Sequence, residues 1–326
     1  MSRNGTSRAD PPRADPRPAD GRAGSGVGAL LVIGDVITDV VARFATPPAH
    51  GTDTAAEIRT LPGGAGANAA CWAAHSGCAD VRLLGGVGAD ARDWHAERLR
   101  RAGVRARLVV DPHAPTGTVI CLVDASAERT LLTDSGAALR LSPADWSPSL
   151  LDGAGRLHLS GYLFFTGSSR RLALVAMEAA RERGVPVSVD PASAGFLGRL
   201  GPHRFLTAVA GAETLLPNAD EARLLTGLPD AARAAAELSR RVPLVVVTLG
   251  AAGALVAAEG EVTARVPAPP ARAVDTTGAG DAFTGAFLAA RLAGAEPAAA
   301  AAEGCRAGAV AVTLPGGRPE PGRRTA

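Results

Sequence analysis

Residues 275–287 read DTTGAGDAFTGAF, and this stretch decides how the rest of the chain is interpreted. The small residues at 278–280 lead into Phe283 and Phe287, which are spaced as on one face of a helix. Small residues at a helix start leave backbone N–H groups open to a ligand, and the helix dipole adds positive charge there. The stretch therefore predicts an anion site, for which phosphate is the best-suited ligand.

Asp281 lies in the first turn of this predicted helix. An acidic residue at that position is often only a partner of the helix dipole. A carboxylate beside bound phosphate is repelled by it, unless the carboxylate takes a proton from a hydroxyl group that attacks the phosphate. The residues of this stretch alone leave both interpretations open.

A second glycine-rich stretch, GGAGANAA, occupies residues 63–70. Its residues 64–69 also fit the dinucleotide-binding fingerprint, which should follow the first strand of the fold directly. The first predicted strand, Ala29 to Ile33, ends far before these glycines, and no well-placed acid follows a second strand. A nicotinamide-dependent enzyme is therefore disfavoured.

Predicted strands and helices alternate along most of the chain, which favours an α/β fold with a mostly parallel sheet covered on both faces. Ligands of such sheets bind at the carboxyl ends of the strands. Polar residues follow several predicted strands at that edge: Asp35, Asp39, Ser160, Asp190 and Asn218. Gly250 lies at the same edge.

Together, residues 63–70 and 275–283 resemble the two signature motifs of the PfkB/ribokinase family of carbohydrate kinases, and the resemblance covers residues 27–317. It implies a ribokinase-like α/β fold with a small β-sheet lid, which we assign to residues 44–62 and 116–134. It also implies transfer of the γ-phosphoryl group of ATP to a primary hydroxyl of a sugar or sugar-like acceptor, with Mg²⁺ as cofactor.

The same resemblance assigns roles to individual residues. Asp281 corresponds to the general base, and the backbone of Gly278, Ala279, Gly280 and Asp281 corresponds to the anion hole. The implied substrate-binding residues are Asp39, Gly63, Gly64, Asn68 and Asp281. The implied nucleotide-binding residues are Asn218, Thr248, Gly250, Gly253, Gly278 and Gly280.

Cation sites are also implied by the resemblance. Glu221 corresponds to a residue that holds Mg²⁺ through water, while Asp275 and Thr277 correspond to a monovalent-cation site that would take K⁺. The spacing of Asn218 and Glu221 equally fits a helix capping box, and the two roles are compatible.

The chain departs from the ribose-specific members of the family at two positions. Ala65 replaces a lysine, and Ile37 replaces an asparagine, so the predicted acceptor pocket has lost two polar groups. A less hydroxylated, bulkier or partly apolar acceptor is therefore expected in place of ribose, and a nucleoside kinase of the pseudouridine or adenosine type is one alternative. An aromatic side chain beside the pocket would support it, but one Tyr and seven Phe offer no obvious candidate.

A non-catalytic regulator that binds a sugar or nucleotide is the other alternative. Such a protein would need no base, so the presence of Asp281 together with Asn218 and Glu221 argues against it.

The composition excludes several classes of protein. All 34 basic residues are arginine, so a Walker-A loop and a lysine Schiff base are both ruled out. The net charge of +2 indicates no nucleic-acid partner. Four cysteines without a CxxC pair indicate neither zinc nor disulfides, and the lack of a signal segment or long apolar run predicts a cytoplasmic protein without membrane contact.

Both ends of the chain are predicted to lie outside the folded domain. Residues 1–26 contain almost no large apolar side chain and are expected to be disordered, and residues 318–326 are assigned to a C-terminal tail. The exposed lid would offer a sheet edge to a second copy, so a homodimer through the lid is a further hypothesis.

Overall fold

The computed structural model of the chain describes residues 1, 28–125 and 129–319. The N-terminal tail predicted at 1–26 falls outside this part of the chain, except for residue 1. Of the C-terminal tail predicted at 318–326, only residues 318 and 319 are described.

Thirteen strands and nine α-helices lie within the described residues. None of these helices is long and apolar enough to span a membrane. The strands are β1 (Ala29–Ile33), β2 (Ile37–Arg43), β3 (Glu57–Gly63), β4 (Val81–Gly88), β5 (Val104–Asp111), β6 (Gly117–Val123), β7 (Arg129–Asp134), β8 (Ala154–Ser160), β9 (Val187–Asp190), β10 (Thr214–Leu215), β11 (Leu244–Thr248), β12 (Ala254–Ala258) and β13 (Glu261–Val266). The helices are α1 (Ala65–His75), α2 (Arg92–Arg101), α3 (Gly167–Glu182), α4 (Ala194–Leu200), α5 (Pro202–Ala208), α6 (Ala219–Thr226), α7 (Ala231–Leu238), α8 (Ala279–Leu292) and α9 (Pro297–Ala311).

Nine strands form the central sheet, in the order β13-β12-β11-β10-β9-β8-β1-β4-β5. All neighbours from β11 to β5 pair in parallel, while β12 and β13 are antiparallel additions at one edge. A parallel sheet covered on both faces needs apolar strands, and the five residues of β1, ALLVI, are all buried. The predicted mostly parallel α/β fold is therefore confirmed.

Helices cover the two faces of this sheet with separate apolar cores. One core contains buried side chains of α3, α5, α6 and α7, and the other contains buried side chains of α1, α8 and α9. Phe287 of α8 is fully buried in the second core. Because α1 and α8 share this face, their N-termini meet at the carboxyl edge of the sheet.

Strands β3, β2, β6 and β7 form a second, four-stranded sheet, which we call the small sheet. Its β6/β7 hairpin lies within the segment 116–134 that was assigned to the lid. The sheet also includes β2, so it begins at Ile37 and not at residue 44. Alternate residues of β2 face the interior, so Ile37, Asp39 and Val41 lie on one side of the small sheet. The homodimer through this sheet stays a prediction.

Phe287 provides a test of this packing. Replacing Phe287 by alanine leaves a cavity in the core and should lower the free energy of unfolding by about 3–5 kcal/mol. The matched change Leu174→Ala, at a side chain that is 42% exposed, should alter it by about 0.5 kcal/mol or less. Urea denaturation of both variants measures the difference, and similar losses in the two would contradict the described core.

Candidate active site

A cavity of about 560 Å³ lies between the carboxyl edge of the central sheet and the small sheet. The small sheet contributes apolar side chains to its lining, among them Val41, Leu61 and Val119. The central sheet and the two helix N-termini contribute acidic and amide side chains. A cavity of this size with one apolar wall and convergent polar groups is typical of a small-molecule site.

Most of the predicted site residues meet in this cavity. Those that line it are Asp39, Gly64, Asn68, Asn218, Glu221, Asp275, Thr277, Gly278 and Asp281. Those that do not are Gly63, Thr248, Gly250, Gly253, Ala279 and Gly280. Gly63, Ala279 and Gly280 adjoin lining residues in the chain, and Thr248 pairs with Asn218 through an isolated bridge. The nucleotide-binding roles of Thr248, Gly250 and Gly253 stay predictions.

Asp35, to which the sequence analysis gave no role, anchors the start of α1. Its carboxylate accepts hydrogen bonds from the backbone N–H groups of Ala65 at 2.7 Å and Gly66 at 3.2 Å. The hydroxyl of Ser160 donates a third at 2.8 Å. The carboxylate thus binds the positive end of the helix and fixes α1 against β1.

Asp39 of β2 faces the cavity beside Gly63, the last residue of β3. A Cβ atom at Gly63 would overlap the Asp39 carboxylate, so this position has room only for glycine. Burial raises the pKa of Asp39 to about 7, the charge of Arg318 opposes this rise, and Asp35 and Asp275 add to it. Gly63 therefore contributes to the site by making space for a carboxylate.

Asn68 and Asp281 join the two helix N-termini. Asn68 is buried in α1, and its side-chain Nδ2 donates a hydrogen bond of 2.8 Å to Oδ2 of Asp281 in the first turn of α8. Burial raises the pKa of Asp281 to about 8. The hydrogen bond from Asn68 lowers this pKa, whereas the charges of Asp190, Asp35 and Asp39 raise it. A carboxyl group with a pKa near neutrality can act as a general base.

The start of α8 has the backbone geometry of an anion site. Gly278 precedes the helix with φ 73°, a left-handed conformation that favours glycine. The N–H groups of the first helical turn have no acceptor within the helix. They point out of the N-terminal end of α8, which lies at the cavity. Asp275 holds the preceding loop, because its carboxylate accepts from the N–H groups of Thr277 at 2.9 Å and Gly316 at 3.0 Å. The monovalent-cation role of Asp275 and Thr277 stays a prediction.

Asn218 and Glu221 form the capping box that their spacing allowed. Asn218 Oδ1 accepts from the N–H of Glu221, and Glu221 Oε2 accepts from the N–H of Asn218, both at 2.9 Å. Burial, and next the charge of Asp190, raise the pKa of Glu221. Burial likewise raises the pKa of Asp190, although its carboxylate accepts from Ala192 N–H and the Thr284 hydroxyl. Two buried carboxylates that repel each other in this way would be stabilised by a bound cation.

Two site residues were missed by the sequence analysis. Tyr162, the only tyrosine, lines the cavity and packs edge-to-face against Phe165 and Phe196. The sequence offered no obvious aromatic candidate for the pocket, because Tyr162 follows β8 and no motif marks it. Arg318, placed in a tail, instead donates from Nε to Oδ1 of Asn68 at 3.0 Å and from Nη2 to the carbonyl of Gly63 at 2.7 Å.

Comparison with known proteins identifies a family and relatives for this chain. A family described as pfkB family carbohydrate kinase matches residues 28–322. A fructokinase from Klebsiella pneumoniae is 32% identical over 308 residues, which cover 89% of this chain and 94% of that protein.

Solved structures show the same fold. A ribokinase from Thermotoga maritima superimposes with a TM-score of 0.76 at 28% identity and covers 89% of this chain and 94% of its own. An E. coli protein assigned as a ribokinase II, solved in complex with ATP and Mg²⁺, has a TM-score of 0.78 at 24% identity, with 89% and 94% covered. The chain therefore belongs to the pfkB family of carbohydrate kinases, as a phosphotransferase with an alcohol group as acceptor.

Proposed function

We propose that the protein transfers the γ-phosphoryl group of ATP to a primary hydroxyl of a neutral sugar or sugar-like acceptor. The observation that carries this proposal is the position of Asp281, which lies in the first turn of α8 beside the N–H groups that would bind phosphate. A carboxylate in this place is repelled by the nucleotide, and its role as a proton acceptor explains its presence.

The acceptor would lie between Asp39 and Asp281. Asn68, which joins the start of α1 to the start of α8 through its hydrogen bond to Asp281, would lie beside it. Asp281 takes the hydroxyl proton as the acceptor oxygen forms a bond to the γ-phosphorus. The bond from that phosphorus to the β-phosphate oxygen breaks, and its electron pair leaves with ADP. The N–H groups at the start of α8 stabilise the negative charge of the transferring group.

Mg²⁺ fits the acidic pair of Asp190 and Glu221. No group of three or more potential metal ligands occurs among the described residues, which is compatible with an ion that keeps most of its water. Asp190 and Glu221 would therefore hold it through that water shell. When bound, the ion neutralises charge on the phosphates.

The small sheet would close over the acceptor and exclude water. Its inner side chains, such as Val41, Leu61 and Leu131, are apolar and face the cavity. Exclusion of water matters because water competes with the acceptor hydroxyl for the phosphoryl group.

The acceptor is expected to be uncharged. Asp39, Asp275 and Asp281 line the cavity, and none of the described lining residues is basic. These carboxylates would therefore repel a phosphate or carboxylate group on the acceptor, and the phosphates of the nucleotide would repel it as well. Asp39 and Asn68 instead suit hydroxyl groups, which both donate and accept hydrogen bonds.

A nucleoside kinase is a second candidate, and Tyr162 is the observation that favours it. Phe165 and Phe196 hold the Tyr162 ring at the cavity wall, where a base could stack. Replacing Tyr162 by leucine should then weaken nucleoside binding more than sugar binding.

The first experiment measures ADP release from ATP and Mg²⁺ with a panel of neutral sugars, sugar acids and nucleosides. We expect one neutral acceptor to stimulate turnover, and Asp281→Asn to lower kcat by about 10²–10⁴-fold because it removes the base. Wild-type turnover in the variant would contradict the assignment of Asp281. No stimulation by any acceptor, together with tight ligand binding, would favour a regulator.

The pH dependence of the reaction gives a second test. Only the ionised carboxylate accepts a proton, so activity is lost as the pH falls through the pKa of Asp281, about 8 in the free protein. We therefore expect kcat/KM to rise steeply up to about pH 8, where half of Asp281 is ionised, and to level off above about pH 9. A flat profile across this range would contradict Asp281 as the base.

Gly63→Ala tests the role of Asp39 in acceptor binding. The added methyl group overlaps the Asp39 carboxylate and should displace it, which raises KM for the acceptor by about 10–100-fold with little change in KM for ATP. The control Gly198→Ala places a methyl group in open space on α4 and should leave both constants unchanged. Equal effects on acceptor and ATP would show that Asp39 is not acceptor-specific.

A further inference from the structure

Arg318 is half-buried between three parts of the fold, and its neighbours in the chain fix its position. The carbonyl of Gly317 accepts a hydrogen bond of 3.0 Å from the indole N–H of Trp72. The N–H of Gly316 donates to Asp275. From this anchored segment, the guanidinium reaches Asn68 of α1 and the carbonyl of Gly63 at the end of β3.

The hydrogen-bonding capacity of these groups determines the orientation of the Asn68 amide. A guanidinium only donates, and an ionised carboxylate only accepts. Asn68 therefore satisfies both neighbours in one orientation, with its oxygen toward Arg318 and its NH₂ toward Asp281. The flipped amide would place donor against donor and oxygen against oxygen, and would lose both hydrogen bonds.

We propose that Arg318 is a positioning residue for the phosphoryl transfer: it fixes the Asn68 amide and thereby holds the ionised Asp281 carboxylate toward the acceptor hydroxyl. This inference rests on the proposed function of Asp281. Arg318 is not among the residues that line the cavity, so it acts through Asn68 and not by contact with substrate.

The electrostatic surroundings of Asp281 explain why such positioning is needed. Asp35 beside α1, Asp39 on the small sheet and Asp190 on the central sheet all oppose ionisation of Asp281. The nearby Tyr162 adds no charge, because its phenol is neutral near pH 7 and burial raises its pKa further. The hydrogen bond from Asn68 favours the ionised form, so its loss raises the pKa of Asp281 further.

The first readout needs no substrate. In amide NMR of the wild type, the Asn68 side-chain NH₂ signal, assigned by its loss in Asn68→Ala, should exchange slowly with solvent. Arg318→Met should speed this exchange at least about tenfold, because the amide is released from its fixed orientation. Arg82→Met is the matched control, since the half-buried Arg82 guanidinium also donates to backbone carbonyls, those of Leu150 and Asp152. Unchanged exchange in Arg318→Met would overturn the proposal even if the protein proves to have no kinase activity.

The second readout uses the active enzyme. Arg318→Met should lower kcat by about 10–100-fold and move the acidic limb of the pH profile to higher pH. Arg318→Lys, which keeps a positive charge but not the planar fork, should show a similar loss of kcat. Wild-type kcat in Arg318→Lys would show that only the positive charge of Arg318 matters, and it would overturn the positioning role.

A double-mutant cycle separates this route from general destabilisation. If Arg318 acts through Asn68, the variant Asn68→Ala/Arg318→Met should be no slower than Asn68→Ala alone. The contrary result is a loss of kcat in the double variant that equals the product of the two single losses. In variants that keep the wild-type circular dichroism and Tm, it would show that Arg318 acts independently of Asn68 and would overturn the proposal.

Discussion

Like-charge repulsion at the carboxyl edge of the central sheet is the constraint on which the rest of the site depends. Asp35, Asp39, Asp190, Glu221 and Asp281 all lie at or near one cavity, and each has less contact with water than an exposed acid. Such crowding is stable only where protein donors compensate each carboxylate or where the group keeps its proton. Both effects occur at this site. Protein donors compensate some of these carboxylates, and burial raises the pKa of others, which favours retention of the proton.

The donors come from segments that are far apart in the chain. Backbone N–H groups of α1 compensate Asp35, a capping box compensates Glu221, and Asn68 compensates Asp281. Near Asp190, Ala192 has φ 77°, a conformation that costs energy for a residue with a Cβ, and its N–H donates to Asp190. The acidic site is therefore maintained by the packing of α1, α6, α8 and the segment around Ala192.

Sequence patterns predicted the features that depend on local chemistry. The alternation of strands and helices indicated the parallel sheet, and two glycine-rich motifs indicated the helix starts that carry Asn68 and Asp281. The spacing of Asn218 and Glu221 predicted the capping box that the structure contains. These features were predictable because each depends on residues within a few positions of one another.

Long-range packing accounts for what the sequence did not predict. Arg318 follows a proline- and glycine-rich stretch that resembles a tail, and its contacts with Asn68 and Gly63 join residues about 250 positions apart. Tyr162 has no motif, and its place at the cavity depends on the end of β8. The start of the small sheet was misplaced because β2 follows β1 so closely that the two resemble one interrupted strand.

Titration of the Asp281 carboxyl carbon by ¹³C NMR tests the central claim most directly. The resonance can be assigned by its absence in Asp281→Asn, and the measurement requires neither acceptor nor nucleotide. The account predicts a midpoint of about 8, which reflects burial among other acids and makes the group a base near neutral pH. A midpoint of about 4, the ordinary value for an exposed aspartate, would contradict it.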